Sequence, residues 1–320
     1  MAIVTNTFTR YSAIGIREDL SNVIYNISPE ETPFISNVSR ENVKNTYFEW
    51  QTDALDAASS SNAALEGDDI SSFSAVTPTA RVGNYTQISR KDVIISGTLE
   101  SVDKAGRRSE LTYQLAKMGA ALKRDMESSL LANQAAVAGN TTTARRTAGL
   151  PAWLTSNTNF GTGGADPTVG STPTAARTDG TQRAFTEALL KDVIAEVWTS
   201  GGTPKMLMVG AFNKQAASAF SGIATKFRDV PAGQQAQIIG AADVYVSDFG
   251  TVNIVPNRFQ RARDAFVVDP EYASLAILRP IQQMELAKTG DAEKRLMLVE
   301  YGLKVSNQAA HGIVADLTTS

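Results

Sequence analysis

The 320-residue sequence has no cysteine and a single histidine, His311. The absence of cysteine excludes disulfides, thiolate zinc sites, iron–sulfur clusters and cysteine nucleophiles. Catalytic zinc and non-haem iron centres usually need two or three histidines, so this chain could build one only by sharing ligands between subunits. Any metal chemistry would depend on carboxylates alone, and we predict neither a metal nor a cofactor.

The chain also lacks an excess of positive charge and any long apolar run. Its net charge is −3, whereas binding to nucleic acid or to an anionic membrane needs clustered positive charge. No stretch of about eighteen consecutive apolar residues occurs, and residues 1–12 lack the basic-then-apolar pattern of a secretory signal. We therefore expect a soluble protein made in a cytoplasm, with no membrane partner and no tight binding to DNA.

No recognisable catalytic motif is present either. His311 could pair with Glu300 or Asp316 to activate a serine, but there is no G-x-S-x-G turn to position that serine. Residues 288–291 and 161–164 do not match phosphate- or dinucleotide-binding loops in order or context, and we predict turns there. We assign no catalytic, cofactor-binding or metal residue and predict that the protein is not an enzyme. His311 is expected to be a partly exposed surface or interface residue.

Two kinds of charged cluster have a plainer interpretation than a binding site. The acids Glu66, Asp68 and Asp69 could hold calcium, but they lack the alternation of an EF-hand loop, and a solvated loop tip is favoured. The arginine clusters are flanked mainly by acids or small residues, and Phe259 is the one aromatic residue between their members, which favours ion pairs within or between subunits over phosphate contacts. These clusters are Arg107 with Arg108, Arg145 with Arg146, and Arg258 with Arg261 and Arg263.

The first 42 residues have the pattern of an arm. Pro29 and Pro33 interrupt any regular element by restricting the backbone. A short helix could begin at Pro29, with Glu30 and Glu31 near the positive end of its dipole.

A ribbon with a long loop follows the arm. Residues 45–53 and 80–96 have the patterns of strands, with Phe48 and Trp50 on one face of the first. About twenty-five small, polar and acidic residues separate the two strands. An isolated two-stranded ribbon is marginal in water, so the rest of the chain or a neighbouring subunit must hold it. The length of the loop favours the neighbour.

The strongest helical pattern covers residues 109–138 and ends at Gly139. At 1.5 Å per residue such a helix would be about 45 Å long, and we expect it to form an elongated spine. Its apolar residues recur at spacings of three and four. They are Leu111, Leu115, Met118, Leu122, Met126 and Leu130.

The composition of the chain changes after this helix. Residues 155–182 are dense in threonine, glycine, serine and proline, which predicts a surface loop or linker. The elements predicted beyond it indicate a second domain of α+β or α/β type. They are helices at 183–199 and 212–222, and strands at 206–209, near 243–255 and at 265–268.

The last part of the chain returns to extended structure. Residues 295–305 alternate between apolar and more polar residues, which predicts a strand with one apolar face. Residues 289–292 form the turn from the preceding stretch, 281–288. We therefore predict a hairpin of two long strands at the edge of a subunit. Its packed side would consist of Met297, Val299, Tyr301, Leu303 and Val305.

The order of segments is arm, protruding ribbon, long helix, inserted second domain and closing strands. Six stretches carry a sequence resemblance: SPEETPFISNV (28–38), LEGDD (65–69), RVGNYTQI (81–88), KRDMESSLL (123–131), SDFGTVNIVPNR (247–258) and LAKTGDAEKRLMLVEYGLKVSNQAAHG (286–312). In this order and in these stretches, the chain resembles the major capsid proteins of tailed bacteriophages, which have the HK-ninety-seven fold. The resemblance is strongest to the capsid proteins of certain podoviruses.

The resemblance implies an α+β capsid fold and a role for each segment. The N-terminal arm would be 1–42, the extended loop across an adjacent subunit 43–96, the peripheral domain 97–182 with 270–320, and the axial domain around fivefold and sixfold axes 183–269. The protein would be a virion component that self-assembles into an icosahedral shell around double-stranded DNA.

The same resemblance implies the partners. They would be many copies of the chain itself, as hexamers and pentamers, together with a separate scaffolding protein and a portal. A decoration protein is a further candidate, and packaged DNA would be contacted only weakly. Assembly is expected in the cytoplasm of a host bacterium.

One departure from part of the family concerns covalent cross-linking. Some members join their subunits through an isopeptide bond from a lysine on the extended loop, but no lysine occurs between Lys44 and Lys91. We therefore expect no cross-link of that kind. A long charged helical extension that could act as a built-in scaffold is also missing, which is why a separate scaffolding protein is expected.

Two alternatives remain open from the sequence. One is an encapsulin-like compartment with the same fold and a protein cargo. The other, from a different class, is a soluble carboxylate-dependent hydrolase.

Overall fold

The computed structural model describes residues 31–67, 69, 73, 75–220 and 243–320. The helices are α1 Pro33–Asn37, α2 Gly97–Ser101, α3 Glu110–Leu130, α4 Glu187–Thr199 and α5 Ala211–Ser218. The strands are β1 Ser39–Asn42, β2 Tyr47–Thr52, β3 Ala80–Tyr85, β4 Gln87–Ser96, β5 Thr158–Asn159, β6 Met206–Val209, β7 Val244–Ser247, β8 Gly250–Pro256, β9 Ala265–Val268, β10 Ala273–Glu285, β11 Ala292–Val305 and β12 Gly312–Val314. Short 3₁₀ turns occur at Leu150–Ala152, Pro270–Tyr272 and Gln308–Ala310. The mixture confirms the α+β class.

The strands of the described residues form three sheets. The four-stranded sheet has the order β1-β10-β11-β4, and the six-stranded sheet has the order β5-β12-β9-β6-β8-β7. The third sheet consists of β2 and β3 alone. Among the described residues, no helix is both long and apolar enough to span a membrane.

The six-stranded sheet has a hydrophobic core on each face. All residues of β6 and β9 are buried, as expected for strands covered on both sides. Met206, Met208, Phe266 and Val268 belong to a first core with Phe34, Trp50, Leu122, Trp153 and Tyr301. Leu207, Val209, Ala265 and Val267 belong to a second core with Leu190, Val193 and Val197 of α4. Successive residues of β6 and β9 therefore point alternately into the first and the second core, so the two strands lie between the cores.

The long helix α3 is shorter than its sequence pattern predicts. It begins after Ser109, whose side chain accepts a hydrogen bond from the Thr112 amide, but it ends at Leu130 and not at residue 138. Its length is thus about 32 Å and not about 45 Å. Tertiary bonds replace the helical ones beyond its end, because the amide of Ala136 donates to Pro173 and that of Val137 to Arg146.

The buried face of α3 is also narrower than predicted. Met118, Leu122, Met126 and Leu130 are buried, together with the unpredicted Glu127. Leu111 and Leu115 are only partly buried.

Two other helices begin or end away from their predicted bounds. Helix α4 begins at Glu187 and not at residue 183, because the Arg183 amide donates to the Asp316 carbonyl in an extended bridge. Helix α5 ends at Ser218 and not at residue 222. The three predicted strand regions of this part are confirmed by β6, by β7 with β8, and by β9.

The first helix in the described part of the chain, α1, begins at Pro33. Pro33 occupies its first turn, and Glu31 precedes it without regular structure. Pro29 and Glu30 lie outside the described residues. The predicted arm residues 1–30 and residues 221–242 likewise lie outside them.

The segment 155–182 is more than a surface loop. It contributes β5, which pairs with β12, and it contains bridges between Ala165 and Thr178 and between Val169 and Pro173. Arg177 within it is buried. Polar pairing, together with Phe160 and Val169 packed against the first core, provides the order that composition did not predict.

The predicted hairpin near the C-terminus is confirmed by β10 and β11. Within its sheet, β11 is an interior strand between β10 and β4, and the position of the hairpin at the edge of a subunit stays a prediction. Its second face is also covered, because Leu298, Glu300 and Gly302 are all buried. Only the turn and the adjoining strand ends project.

Candidate assembly surfaces

The base of the ribbon, formed by β2 and β3, is held by its own chain. Phe48 and Trp50 face the first core, as their alternation predicts, and the Trp50 and Trp153 ring centroids are 5.4 Å apart. Phe48 lies directly over Gly302, where an added Cβ would come within 2.6 Å of its ring. The neighbour is therefore not needed at the base, contrary to our expectation for the ribbon as a whole.

The ribbon also changes partner at a single residue. β3 pairs with β2, whereas β4, which follows after Thr86, pairs with β11. The Asn84 side chain beside this change is buried and donates to the Leu303 carbonyl at 2.7 Å, while it accepts the Ala148 amide at 2.9 Å. A buried side-chain amide with these partners fixes the position of β3 relative to β11 and the segment at Ala148.

Glu300 anchors the same region through charge. Its side chain is buried and pairs with Arg145 through one oxygen and with Arg279 at 2.7 Å through the other. The Thr86 hydroxyl also donates to it at 2.9 Å. Glu300 is therefore an ion-paired structural residue and does not orient His311.

Beyond its base, the ribbon opens into the loop 53–79, in which every described residue is exposed. Four large apolar side chains project from this loop with relative exposures of 81–99%. They are Leu55, Leu65, Phe73 and Val76. All the charged residues of the loop are acidic: Asp53, Asp56, Glu66, Asp68 and Asp69. Exposed apolar side chains of this size are typical of a surface that another molecule covers.

A second exposed apolar patch lies at the end of the six-stranded sheet. Trp198 at the end of α4 and Phe249 in the β7–β8 turn have ring centroids 5.0 Å apart, and both are at least 40% exposed. Val246 on the edge strand β7 is 71% exposed. Aromatic residues are enriched in the centres of protein interfaces.

His311 is not a surface residue, so that expectation is wrong. Its side chain is fully buried, and its Nδ1 accepts the Asp269 amide at 3.3 Å. Burial lowers the pKa of His311 to about 4, so the imidazole is neutral at pH 7. Asp316, its other candidate partner, accepts from Arg263 at 2.6 Å and from the Gly161 amide at 3.1 Å.

Most of the arginine clusters form ion pairs within the chain, which was one of the two predicted arrangements. Arg107 pairs with Glu110, and Arg145 with Glu300. Arg261 and Arg263 share Asp179 at 2.5 and 3.2 Å. No ion pair joins Arg108, Arg146 or Arg258 to an acid among the described residues.

The candidate ligand sites are not built in the described part of the chain. No group of three or more histidine or acidic side chains there could hold a metal ion. Of the acidic loop residues, Glu66 and Asp69 are exposed, and Asp68 lies outside the described residues. Residues 161–164 contain a turn with Gly163 at φ +83°, and residues 288–291 form the tip of the β10–β11 hairpin.

Comparison with known structures identifies the class of protein to which this fold belongs. The chain is similar to a solved protein of Gordonia phage Cozz, with a TM-score of 0.63 and 12% identity over 99% of this chain and 98% of that one. It is similar to the capsid of a native GTA particle, with a TM-score of 0.61 and 13% identity over 99% and 100% of the chains. The fold is that of phage capsid shell proteins.

Sequence comparison identifies the family. The model of the SU10 major capsid protein family matches residues 3–318, so the chain belongs to that family. It is also 29% identical to the major capsid protein of Escherichia phage Phieco32, over 96% of both chains. The protein is a major capsid protein of a tailed phage, a structural component of the virion that assembles in many copies. These findings favour neither an encapsulin-like compartment nor a hydrolase.

Several residues that organise the structure were missed by sequence reasoning. Asn84, Glu127 and Arg177 are polar or charged yet buried. Nothing in the local pattern distinguishes them from exposed residues of the same type. One weak signal was available for Glu127, which lies beside Met126 near the apolar stripe of α3.

Proposed function

We propose that the chain builds a closed icosahedral shell of hexamers and pentamers around double-stranded DNA, with the loop 53–79 lying on an adjacent subunit. The observation that carries this proposal is the exposure of Leu55, Leu65, Phe73 and Val76 on a loop whose base is firmly held. A loop with a firmly held base and exposed apolar side chains can contribute contact area to a neighbour without weakening its own fold.

The segment roles follow the same proposal. Residues 1–42 serve as the arm, 43–96 as the extended loop, and 97–182 with 270–320 as the peripheral domain. Residues 183–269 serve as the axial domain, where the Trp198 and Phe249 patch supports contacts between copies near the symmetry axes. Ring-forming contacts of this kind are heterologous, since different surfaces of two copies meet.

The proposed partners beyond the chain itself are a scaffolding protein, a portal and a decoration protein. DNA would be contacted weakly, because the net charge of −3 provides no general attraction to phosphate. Assembly takes place in the bacterial cytoplasm. The chain uses no cofactor, metal or catalytic residue in this role.

Electron microscopy of the purified chain with residues 57–75 deleted tests the role of the loop. We expect a circular dichroism spectrum like that of the wild type but no regular shells. A matched control replaces the same residues with an equally long glycine–serine segment, which keeps the length and removes the side chains. Normal particles from the deleted chain would refute the clamping role, and normal particles from the control would show that the side chains are not needed.

A further inference from the structure

Glu127 of α3 is a buried carboxylate with three neutral partners. Its side chain has no exposed surface. Oε1 accepts the Phe34 amide at 2.7 Å and the Asn257 side-chain amide at 2.7 Å, and Oε2 accepts the Ile35 amide at 2.9 Å. No ion pair joins it to a cation in the described part of the chain.

The two backbone amides belong to the first turn of α1. The cap residue of this helix, Thr32, makes no side-chain capping bond. A five-residue helix is too short to be stable by itself, and its unpaired amides need acceptors. Glu127 supplies them from 93 and 92 residues away and thereby replaces the missing local cap.

The third donor belongs to the segment after β8. Asn257 is itself held in place, because its backbone amide donates to the Val209 carbonyl at 2.9 Å. Its Oδ1 accepts the Phe259 amide at 2.9 Å, which turns the side-chain NH₂ towards Glu127. One turn earlier on α3, Arg124 lies over the Phe259 ring at 5.2 Å. A single oxygen of Glu127 therefore joins α1 to this segment.

A charge in this position is costly for the fold. Burial raises the pKa of Glu127, and the three hydrogen bonds only partly oppose that effect. A neutral apolar residue would pack at a lower cost. The carboxylate is therefore better explained by its bonds to α1 and to Asn257, which hold these segments in place, than by a contribution to overall stability.

We propose that Glu127 is a positioning residue for assembly, which sets helix α1, the long helix α3 and the segment at Asn257 in one fixed arrangement. The inference depends on the proposed function only where shells are measured. Its structural part, the docking of α1, is tested on unassembled subunits and stands or falls independently of the loop deletion.

The main experiment compares Glu127→Gln with Asp125→Asn in the full chain. Glutamine has nearly the same shape, but its NH₂ must face one of the N–H groups that donate to the carboxylate, and two donors cannot form a hydrogen bond with each other. We expect hydrogen exchange at the amides of residues 34–38 to accelerate at least about tenfold, with no change in β9, together with a loss of regular shells. Asp125 lies two residues away on α3, is half exposed and pairs with Lys91 at 2.6 Å, so its variant should behave like the wild type in both measurements.

A second variant separates positioning from general core damage. Thr32→Asp adds a local cap to α1, so in the Glu127→Gln background it should restore most of the lost protection at residues 34–38. Unchanged exchange in Glu127→Gln would overturn the inference. So would equal acceleration in β9, or a failure of Thr32→Asp to restore protection, because Glu127 would then be an ordinary core residue.

Discussion

The base of the ribbon 43–96 and its loop, residues 53–79, are continuous in the chain but lie in opposite environments. At the base, Phe48 and Trp50 are buried in the first core, and Asn84 and Thr86 are bound to the body. In the loop 53–79, every described residue is exposed. The base is therefore a product of the chain's own folding, whereas the loop has side chains that only another molecule could bury.

The largest effect should come from removing an aromatic side chain at the base. Trp50→Ala should lower the free energy of unfolding by about 3–5 kcal/mol, since it leaves a cavity beside Trp153. Chemical denaturation of unassembled subunits measures this, with Leu55→Ala in the loop as the control. Equal losses for the two variants would abolish the distinction between base and loop.

The next effect concerns the free energy of unfolding at low pH, which we attribute to His311 and not to the loop. Since the pKa of His311 falls from about 6.5 in the unfolded chain to about 4 in the fold, the unfolded state binds a proton first as pH drops. Stability should fall between pH 6.5 and 4, by up to about 3 kcal/mol. This loss should be missing from His311→Gln.

The acid experiment must be read as a difference between wild type and variant. Asp264, whose pKa is raised to about 6 by burial, has the opposite effect, because its stability contribution is lost as pH rises from about 4 to 6. Chains with and without residues 57–75 should give the same difference. A difference that depends on those residues would show that the loop touches the body.

A smaller effect is expected at the contact between the base and β11. Gly302→Ala would place a methyl group 2.6 Å from the Phe48 ring and 3.1 Å from the Tyr85 carbonyl. We expect a loss of about 1–3 kcal/mol in thermal or chemical unfolding. Gly290→Ala at the hairpin tip, where nothing lies within 4 Å, is the matched control. Full stability of the first variant would mean that the base can lift off the sheet at little cost.

The smallest effect on stability should come from the loop itself. The double change Leu55→Ser and Phe73→Ser should alter the free energy of unfolding by no more than about 0.5 kcal/mol, because both side chains are exposed. Shell yield by electron microscopy should nevertheless fall sharply. A variant that loses stability but assembles normally would reverse the roles given to base and loop.

Local patterns predicted those elements whose burial follows their own periodicity. The alternation at Phe48 and Trp50, the β10–β11 hairpin and strands β6 and β9 are confirmed. Element ends were predicted less well. Helix α3 ends at Leu130, and beyond it the amides of Ala136 and Val137 bond to Pro173 and Arg146 outside any helix. Helix α4 begins late because Arg183 pairs with Asp316. Such partners are invisible in a window of neighbouring residues.

The α+β class, the exclusion of cysteine chemistry and the family resemblance could all be inferred from the sequence alone. The exclusion follows from composition, and the resemblance, with the α+β capsid fold that it implies, follows from six stretches of sequence and the order of segments. None of these needs a contact between distant residues. Long-range contacts were needed to show that His311 is buried, that β11 is an interior strand and that Glu127 binds the first turn of α1. The physical reason is that a charged or polar side chain can be buried wherever the fold supplies its hydrogen-bond partners. In this chain those partners lie far away in the sequence.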